Sequence, residues 1–425
     1  MEERKLNWLE LRNYKNLANQ RIDLNELNVF IGPNGSGKSN IIKVLHFLKD
    51  SLTEPEASRG ITSFEDAVQK FGNTRILDGT VSSPATVGVC FGFDNAEFEG
   101  ENVLELELLV QTGDRGVVIN KEFLSSQNPQ KKDPYYFYKF HEHGRGKGLY
   151  SRRETTDSSS ISFEQLNDVP ANELMLFGID KLLEDSEFAP EVTPLFSERR
   201  KILDTVRQWQ FYNANHMNLD EIRQAEPKVG VRDRYLSPRG TNLAAVLFNL
   251  NQLDWQFDDQ INQAMKSILP PTQKVRATVV GTTGLNVEWR WQNIDDPFYL
   301  YDLSDGTIRM LCWACILLSP SPPELLVIEE PEIGLHVSWL GTLADWINTA
   351  AKKTQVIIST HSSSFLDKFT DQPENVLVFH PSPGDKIHYS VSPLSNDRLA
   401  SWFANGYELG DLYRIGEPVV GGWPW

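Results

Sequence analysis

The chain has 425 residues, of which 40% are apolar and 23% charged, with 41 Lys and Arg against 58 Asp and Glu for a net charge of −17. These proportions exclude a disordered chain and a disulfide-stapled miniprotein. The acidic balance argues against a surface that coats nucleic acid indiscriminately, because such binding draws on a broad positive field.

At roughly 150 residues per domain the length corresponds to two or three domains. The opening residues Met1 to Trp8 lack the basic-then-apolar order of a secretory signal. Three cysteines, Cys90, Cys312 and Cys315, are too few for a disulfide framework, so a reducing, cytoplasmic setting is expected. The most apolar stretch, 310–328, is interrupted by Ser319-Pro-Ser-Pro-Pro323, whereas a spanning helix needs about 20 continuous apolar residues, so no membrane partner is expected.

In chain order, the apolar run Leu27-Asn-Val-Phe-Ile31 predicts a strand that enters the glycine-rich stretch Gly32-Pro-Asn-Gly-Ser-Gly-Lys-Ser39. Ile41, Ile42, Leu45, Leu48 and Leu52 then recur at helical spacing. The stretch fits G-x-x-x-x-G-K-[ST], and each part has a physical reason. Glycines let consecutive N–H groups curl around phosphate oxygens, and the following helix points its positive end at them. Lys38 is placed to reach the β- and γ-phosphates and the Ser39 hydroxyl to face Mg²⁺. The predicted cradle is Gly32, Pro33, Asn34, Gly35, Ser36, Gly37, Lys38, Ser39 and Asn40.

From Thr86 to Phe123 the runs become β-rich and predict an antiparallel meander. The stretch 124–160 is polar, with Lys131-Lys132, Arg145, Lys147, Arg152-Arg153 and a Ser/Thr run at Thr155 to Ser160, and reads as an exposed insertion or long loop. Helical patterning returns over 172–224 without a sustained heptad repeat. After Gly240, helices are predicted near 243–253 and 257–269, and strands at 277–280 and 287–291. Leu325-Leu-Val-Ile328 and Val356-Ile-Ile358 read as strands buried on both faces of a parallel sheet.

Leu325 to Glu330 supplies two carboxylates at the end of a buried strand, where ligands of parallel sheets bind. Glu329 is placed to hold Mg²⁺, directly or through water, and Glu330 to act as general base toward the attacking water. His361, just past the next buried strand, is positioned for a γ-phosphate. Ser304 reads as the N-cap of a helix beginning near Ile308, with Gly306 allowing close approach of an anion to the helix start.

These pieces, in this order, resemble the ABC-type ATPase heads of the SMC, RecF and OLD group. Gly32 to Ser39 is similar to Walker A, Leu303 to Thr307 to the signature motif, and Leu325 to Glu330 to Walker B. Gly334-Leu-His336 is similar to the loop after Walker B, and His361 to the switch histidine. The resemblance implies an α/β P-loop NTPase, an ABC-ATPase head with a mixed sheet, an antiparallel β subdomain and an inserted helical or loop region. Its parts would be 1–123, an insertion over 124–229, and 230–425. It also implies a Mg²⁺-dependent ATPase that dimerises around ATP, Ser304 and Gly306 of one subunit completing the site of the other, with a higher oligomer open.

The compact form resembles ATPase subunits of bacterial antiphage defence systems, Septu and PARIS, which implies control of a separate nuclease-type effector. About 64 residues follow His361, too few for the TOPRIM nuclease domain of OLD-type proteins. A RecF-like DNA-repair ATPase and an ATP-binding scaffold of very low turnover stand as alternatives. The sequence departs from the pattern at Glu329, where most ABC proteins have Asp, and in its Q-loop glutamine, for which Gln69 is the candidate. No coiled coil separates Walker A from the signature.

Other features have plainer readings. Cys312-x-x-Cys315 reads as buried core, His141-Glu-His143 as an exposed loop, and Trp289 with Trp291 as core packing on one strand face. The groups Arg145/Lys147, Arg152/Arg153 and Arg199-Arg200-Lys201 read as a solvated face, with DNA phosphate contact as the alternative. Gly421 to Trp425 either docks on its own subunit or anchors a partner. Arg12 and Tyr14 are expected near the adenine.

Overall fold

Strict alternation of burial along Leu104, Leu106, Leu108 and Val110 against Glu105 and Glu107 produces strands with one buried face. In the computed structural model such strands build the largest of three sheets among the described residues. The structure describes residues 5–54, 61–95, 100–111, 116–128, 130–131, 133–141, 146–153, 161–183, 194–384 and 387–421. The chain divides into two units, one made of Met1–Asn25, Asn34–Trp209 and Phe379–Ser392, the other of Glu26–Pro33, Gln210–Val378 and Pro393–Trp425.

The first unit holds an eight-stranded antiparallel sheet. Its strands are β1 (Leu6–Tyr14), β2 (Leu17–Asp23), β4 (Ala85–Asn95), β5 (Gly100–Val110), β6 (Val117–Gln127), β7 (Tyr135–Phe140), β8 (Lys147–Arg153) and β9 (Ile161–Asn167). The order is β2-β1-β4-β5-β6-β7-β8-β9. The meander expected over 86–123 is β4 to β6. The stretch 124–160 is not the loop its polar composition suggested: among its described residues β7 and β8 continue the sheet. Phe137, Tyr138, Phe140 and Tyr150 are buried there, and the β propensity and burial of the aromatics outweigh the polar composition around them. Thr155 to Ser160 lie outside the described residues.

Four helices belong to this unit: α1 (Lys38–Ser51), α2 (Ser63–Phe71), α3 (Met175–Leu183) and α4 (Pro194–Gln208). Helix α1 buries Ile41, Ile42, Leu45 and Leu48 of the predicted stripe, with Leu52 buried just past its end, and Val44 and Phe47 widen the buried face. Phe71 of α2 is sandwiched by Phe47 at 4.6 Å and Tyr14 at 5.2 Å. Glu198 of α4 is buried and accepts from Asn102 at 2.6 Å and Asn95 at 3.3 Å, which ties the helix to β4 and β5. His141 is buried rather than exposed, with Nδ1 accepting from the Gly146 amide at 3.2 Å, while Glu142 and His143 lie outside the described residues.

The second unit carries the sheet predicted from the uninterrupted apolar runs, with strands β3 (Leu27–Ile31), β10 (Gln210–Asn213), β13 (Leu325–Glu329), β14 (Gln355–Ser359) and the first half of β15 (Val376–Pro381), in the order β10-β13-β14-β3-β15. The sheet's last strand, β16 (Tyr389–Pro393), falls almost wholly among residues of the first unit. From β10 to β15 every neighbour is parallel. Nearly every residue of β3, β13 and β14 is buried, as befits strands covered on both faces.

Around it lie α5 (Leu219–Gln224), α6 (Leu243–Leu253), α7 (Trp255–Ile268), α8 (Asp305–Leu317), α9 (Leu340–Ala351), α10 (Ser363–Leu366), α11 (Asn396–Ala404) and α12 (Leu409–Ile415), with the hairpin β11 (Thr272–Val280) and β12 (Gly284–Trp291). One apolar core joins them, containing Trp313, Cys312, Cys315 and Trp289, against which Trp291 packs. Cys312 and Cys315 are free thiols, and burial pushes Cys312 up to about 12. They are core cysteines. Among the described residues no helix is long and apolar enough to cross a membrane.

Candidate functional site

Four adjacent parallel strands of the second unit end on one edge: β10 at Asn213, β13 at Glu329, β14 at Ser359 and β3 at Ile31. Chain polarity thus gathers the segments that leave these strands at the place where α/β sheets hold ligands. Glu330 has a φ of 51°, a left-handed conformation costly for a non-glycine residue. Its amide donates to the Ser359 carbonyl at 2.8 Å, which fixes the turn against β14. Its carboxylate has Oε1 3.8 Å from His361 Nε2, while Oε2 accepts from Asn215 Nδ2 at 3.3 Å. Glu329 Oε1 accepts from Asn213 Nδ2 at 3.2 Å. Glu332 accepts from the Thr360 hydroxyl, its other oxygen is buried without a protein partner, and burial raises its pKa.

Two of the residues singled out from the sequence, Glu330 and His361, therefore meet, and Glu329 directly precedes Glu330 at the end of β13. The amides that touch the two glutamates escape a sequence reading. Asn213 and Asn215 close a four-residue strand between helical segments, and nothing in their spacing marks them. Gln69, the expected Q-loop residue, is exposed on α2 in the other unit.

The glycine loop leaves β3 with Gly32 at φ 145°, Gly35 at 79° and Gly37 at 109°. A Cβ on Gly37 would lie 3.0 Å from Leu17, so both φ and space require glycine there. Gly37 caps α1 with no side-chain hydrogen bond, so the α1 amides face no capping side chain of that residue. Ser36 is fully buried, and its hydroxyl has no protein partner. Lys38 is buried, while Asn34, Gly35 and Ser39 are exposed and Pro33 is half-buried.

The β1–β2 turn braces this loop from behind. Asn16 donates to the Gly35 carbonyl at 2.8 Å and accepts from Asn40 Nδ2 at 2.9 Å, and Lys15 donates to Asn40 Oδ1 at 3.2 Å. Burial lowers Lys15 to about 8, with Lys43 adding to the effect. Tyr14 donates to the Asn40 carbonyl at 3.2 Å and has no exposed surface to offer an adenine, contrary to expectation. Arg12 is engaged by Glu10 at 2.8 Å and Glu105 at 3.5 Å.

Ser304 caps α8 as its sequence predicts, accepting from the Thr307 amide at 3.3 Å. Gly306 also has a packing reason: a Cβ there would lie 3.1 Å from the Trp339 ring and 3.3 Å from the Gly334 carbonyl. Asp305 pairs with Arg223 at 2.6 Å, and Arg309 donates to the Ala214 carbonyl. A polar cavity of about 750 Å³ opens here, lined by Asn215, His216, Asn218, Arg239, Asp305 and Arg309 among others.

Of the basic groups, Arg199 is buried and donates to the carbonyls of Leu176 at 2.6 Å and Phe177 at 2.9 Å, and Lys201 pairs with Glu198 at 3.1 Å. Neither is the bare solvated cation expected from sequence. Arg145, the side chains of Arg152 and Arg153, and 422–425 lie outside the described residues.

Each unit carries groups that suit a magnesium nucleotide. In the first, the loop offers successive amides, the buried Ser36 hydroxyl without a protein partner and the exposed Ser39, and in the second, Glu329 is a hard oxygen donor of the kind that holds Mg²⁺ beside phosphates. Among the described residues no group of three or more His, Cys, Asp or Glu forms a metal cluster.

A family model described as AAA domain, putative AbiEii toxin, Type IV TA system matches residues 27–367. No curated protein matches the chain. Among solved structures the chain is similar to an Smc head bound to the C-terminal winged-helix domain of ScpA, at 13% identity and a TM-score of 0.49 over 92% of this chain and 99% of that one. It is also similar to an Smc head with an extended coiled coil, bound to the C-terminal domain of ScpA, from Pyrococcus furiosus, at 15% identity and a TM-score of 0.45 over 95% and 99%. The SMC head domain from Thermotoga maritima matches at 13% and 0.43 over 92% and 99%.

Proposed function

We infer the activity from family and site together: the chain belongs to the AAA domain family described as putative AbiEii toxin, Type IV TA system, and we propose that it binds and hydrolyses ATP. The observation that carries this reading is the strained turn at Glu330, which sets a carboxylate 3.8 Å from His361 on the sheet edge where the glycine loop begins.

In this reading the amides of Gly32 to Ser39, with Asn40 behind them, hold the phosphates, and Lys38 neutralises charge on the β- and γ-groups. Ser39 and Glu329 hold Mg²⁺, which when bound offsets phosphate charge. Glu330 takes the proton of the attacking water as its oxygen bonds to the γ-phosphorus, the bond to the bridging oxygen breaks, and ADP leaves with the electron pair. His361 donates toward the γ-phosphate. Ser304 and Gly306, at the start of α8, meet the nucleotide of a second copy, so ATP closes a homodimer and hydrolysis opens it. Such a switch suits control of a separate nuclease-type effector in antiphage defence, a role supported by the resemblance of the motifs.

Steady-state ATP turnover tests the chemistry. Glu330→Gln is expected to lose roughly 10²–10⁴-fold in kcat, the usual worth of a general base, while still binding ATP. Lys38→Ala is expected to lose ATP binding itself. Unaltered turnover in Glu330→Gln removes Glu330 as base, and a wild type that binds ATP without turning it over leaves a nucleotide-binding scaffold.

A further inference from the structure

Asn213 and Asn215 flank a single residue, Ala214, and all three are fixed. Asn213 Oδ1 accepts from the Asn215 amide at 2.9 Å. That commits its oxygen to the turn and leaves Nδ2 as the group facing Glu329 at 3.2 Å. The Ala214 amide donates to the Glu329 carbonyl at 3.2 Å, its carbonyl accepts from Arg309 of α8, and the His216 amide returns to the Asn213 carbonyl at 2.9 Å. The turn is thus pinned on one side to the end of β13 and on the other to α8. Asn215, exposed itself, projects from it and donates Nδ2 to Glu330 Oε2 at 3.3 Å.

We propose that Asn215 is a positioning residue for Glu330: from a turn shaped by Asn213 it holds one carboxylate oxygen and so aims the other, Oε1, toward the side of His361. Glu330 is only half-buried, and its backbone already spends strain at φ 51°. Its side chain, by contrast, has rotatable bonds that a strand end cannot lock. A directional donor on one oxygen removes part of that freedom, and orientation of a reacting group is where a large share of rate enhancement resides. The contacts that hold the turn itself run through the backbone of Ala214 and His216, so a change at the Asn215 side chain leaves the scaffold standing.

The proposal rests on the ATPase reading, and its test separates the two. Turnover, ATP affinity from equilibrium binding and melting temperature are measured for wild type, Asn215→Ala, Asn215→Asp, Asn215→Gln, Glu330→Gln and the Asn215→Ala/Glu330→Gln pair. Asn215→Ala is expected to lower kcat about tenfold, the scale of one hydrogen bond to a charged group, with KM, ATP affinity and melting temperature unchanged. Asn215→Asp keeps the shape but sets an acceptor against the carboxylate, and is expected to lose more. Asn215→Gln keeps a donor and restores part of the rate.

In the Glu330→Gln background Asn215→Ala is expected to add nothing. Unchanged kcat in Asn215→Ala beside an inactive Glu330→Gln overturns the proposal and leaves the ATPase reading intact. A fall in kcat that tracks lost melting temperature or ATP affinity, or that adds fully to Glu330→Gln, also overturns it. Wild-type turnover in Glu330→Gln removes Glu330 as base and the proposal with it while ATP hydrolysis stands, and a wild type that turns over no ATP overturns the ATPase reading.

Discussion

Glu122 of β6 is fully buried, and its two oxygens accept the Met175 and Leu176 amides of α3 at 2.7 Å each. Tyr138 donates to the same carboxylate at 2.8 Å, and Arg199 lies close enough to favour its charge. Burial still outweighs these partners and pushes the carboxyl up to about 7 from its ordinary 4.5. Between those values the folded chain keeps a proton that the unfolded chain releases, so stability falls as pH rises from about 4.5 to 7. Urea unfolding at pH 5 and pH 8 should show the wild type losing on the order of 2–3 kcal/mol more than Glu122→Gln, which has no proton to lose. An equal pH response in both proteins would remove Glu122 as the source. Such residues are illegible in a sequence because their partners lie about fifty positions away. The loop Gly32 to Ser39 is legible because its demands on backbone angle and donor placement fall on consecutive residues. Glu122, Asn213 and Asn215 obey demands set by strands that meet only in the folded chain.

Elements obey the same logic. β3, β13 and β14 announce themselves as unbroken apolar runs, and α1 and α8 as periodic stripes begun by a glycine loop or a serine cap. β7 and β8 are hidden because polar and charged residues dominate the stretch 124–160 while the aromatics Phe137, Tyr138, Phe140 and Tyr150 are buried and decide the fold. β10 is hidden by its length of four residues. The packing of α12 on α10 depends on a glycine whose reason is also invisible in sequence: a Cβ on Gly410 would lie 2.0 Å from the Ser363 carbonyl and 2.3 Å from Asp367 Oδ1. Gly410→Ala must therefore displace α12, at a cost of about 1–3 kcal/mol typical of overpacking. Tyr413 of the same helix has its hydroxyl 3.5 Å from the Gly32 carbonyl. A thermal melt should show a drop of several degrees, and an unshifted melt would mean that the helix rides over the added methyl without loss.

At the scale of the whole molecule, a chain with a net charge of −17 must overcome self-repulsion to associate. The proposed ATP sandwich would make association conditional on nucleotide, the shared ATP supplying contacts that bare surfaces of one sign do not. Light scattering with ATP and Mg²⁺ is expected to show Glu330→Gln held as a dimer or larger species, Lys38→Ala unresponsive, and the wild type between them. A mass that ignores nucleotide in all three would replace the switch by a constitutive assembly. The unit boundaries add a limit on what linear reading can see: Glu26–Pro33 packs with residues that begin at Gln210, and the next residue, Asn34, belongs to the other unit.

All three cysteines of the chain are free and buried, and burial holds Cys90 and Cys312 near 12, far from the thiolate that reacts with electrophiles. The native protein is consequently an almost thiol-silent background. A single cysteine introduced on an exposed position, such as Tyr301 ahead of the Ser304 cap or Val337 beyond Gly334, would take a maleimide dye with no prior removal of native cysteines. Distances between labelled copies would then track nucleotide-driven association in real time.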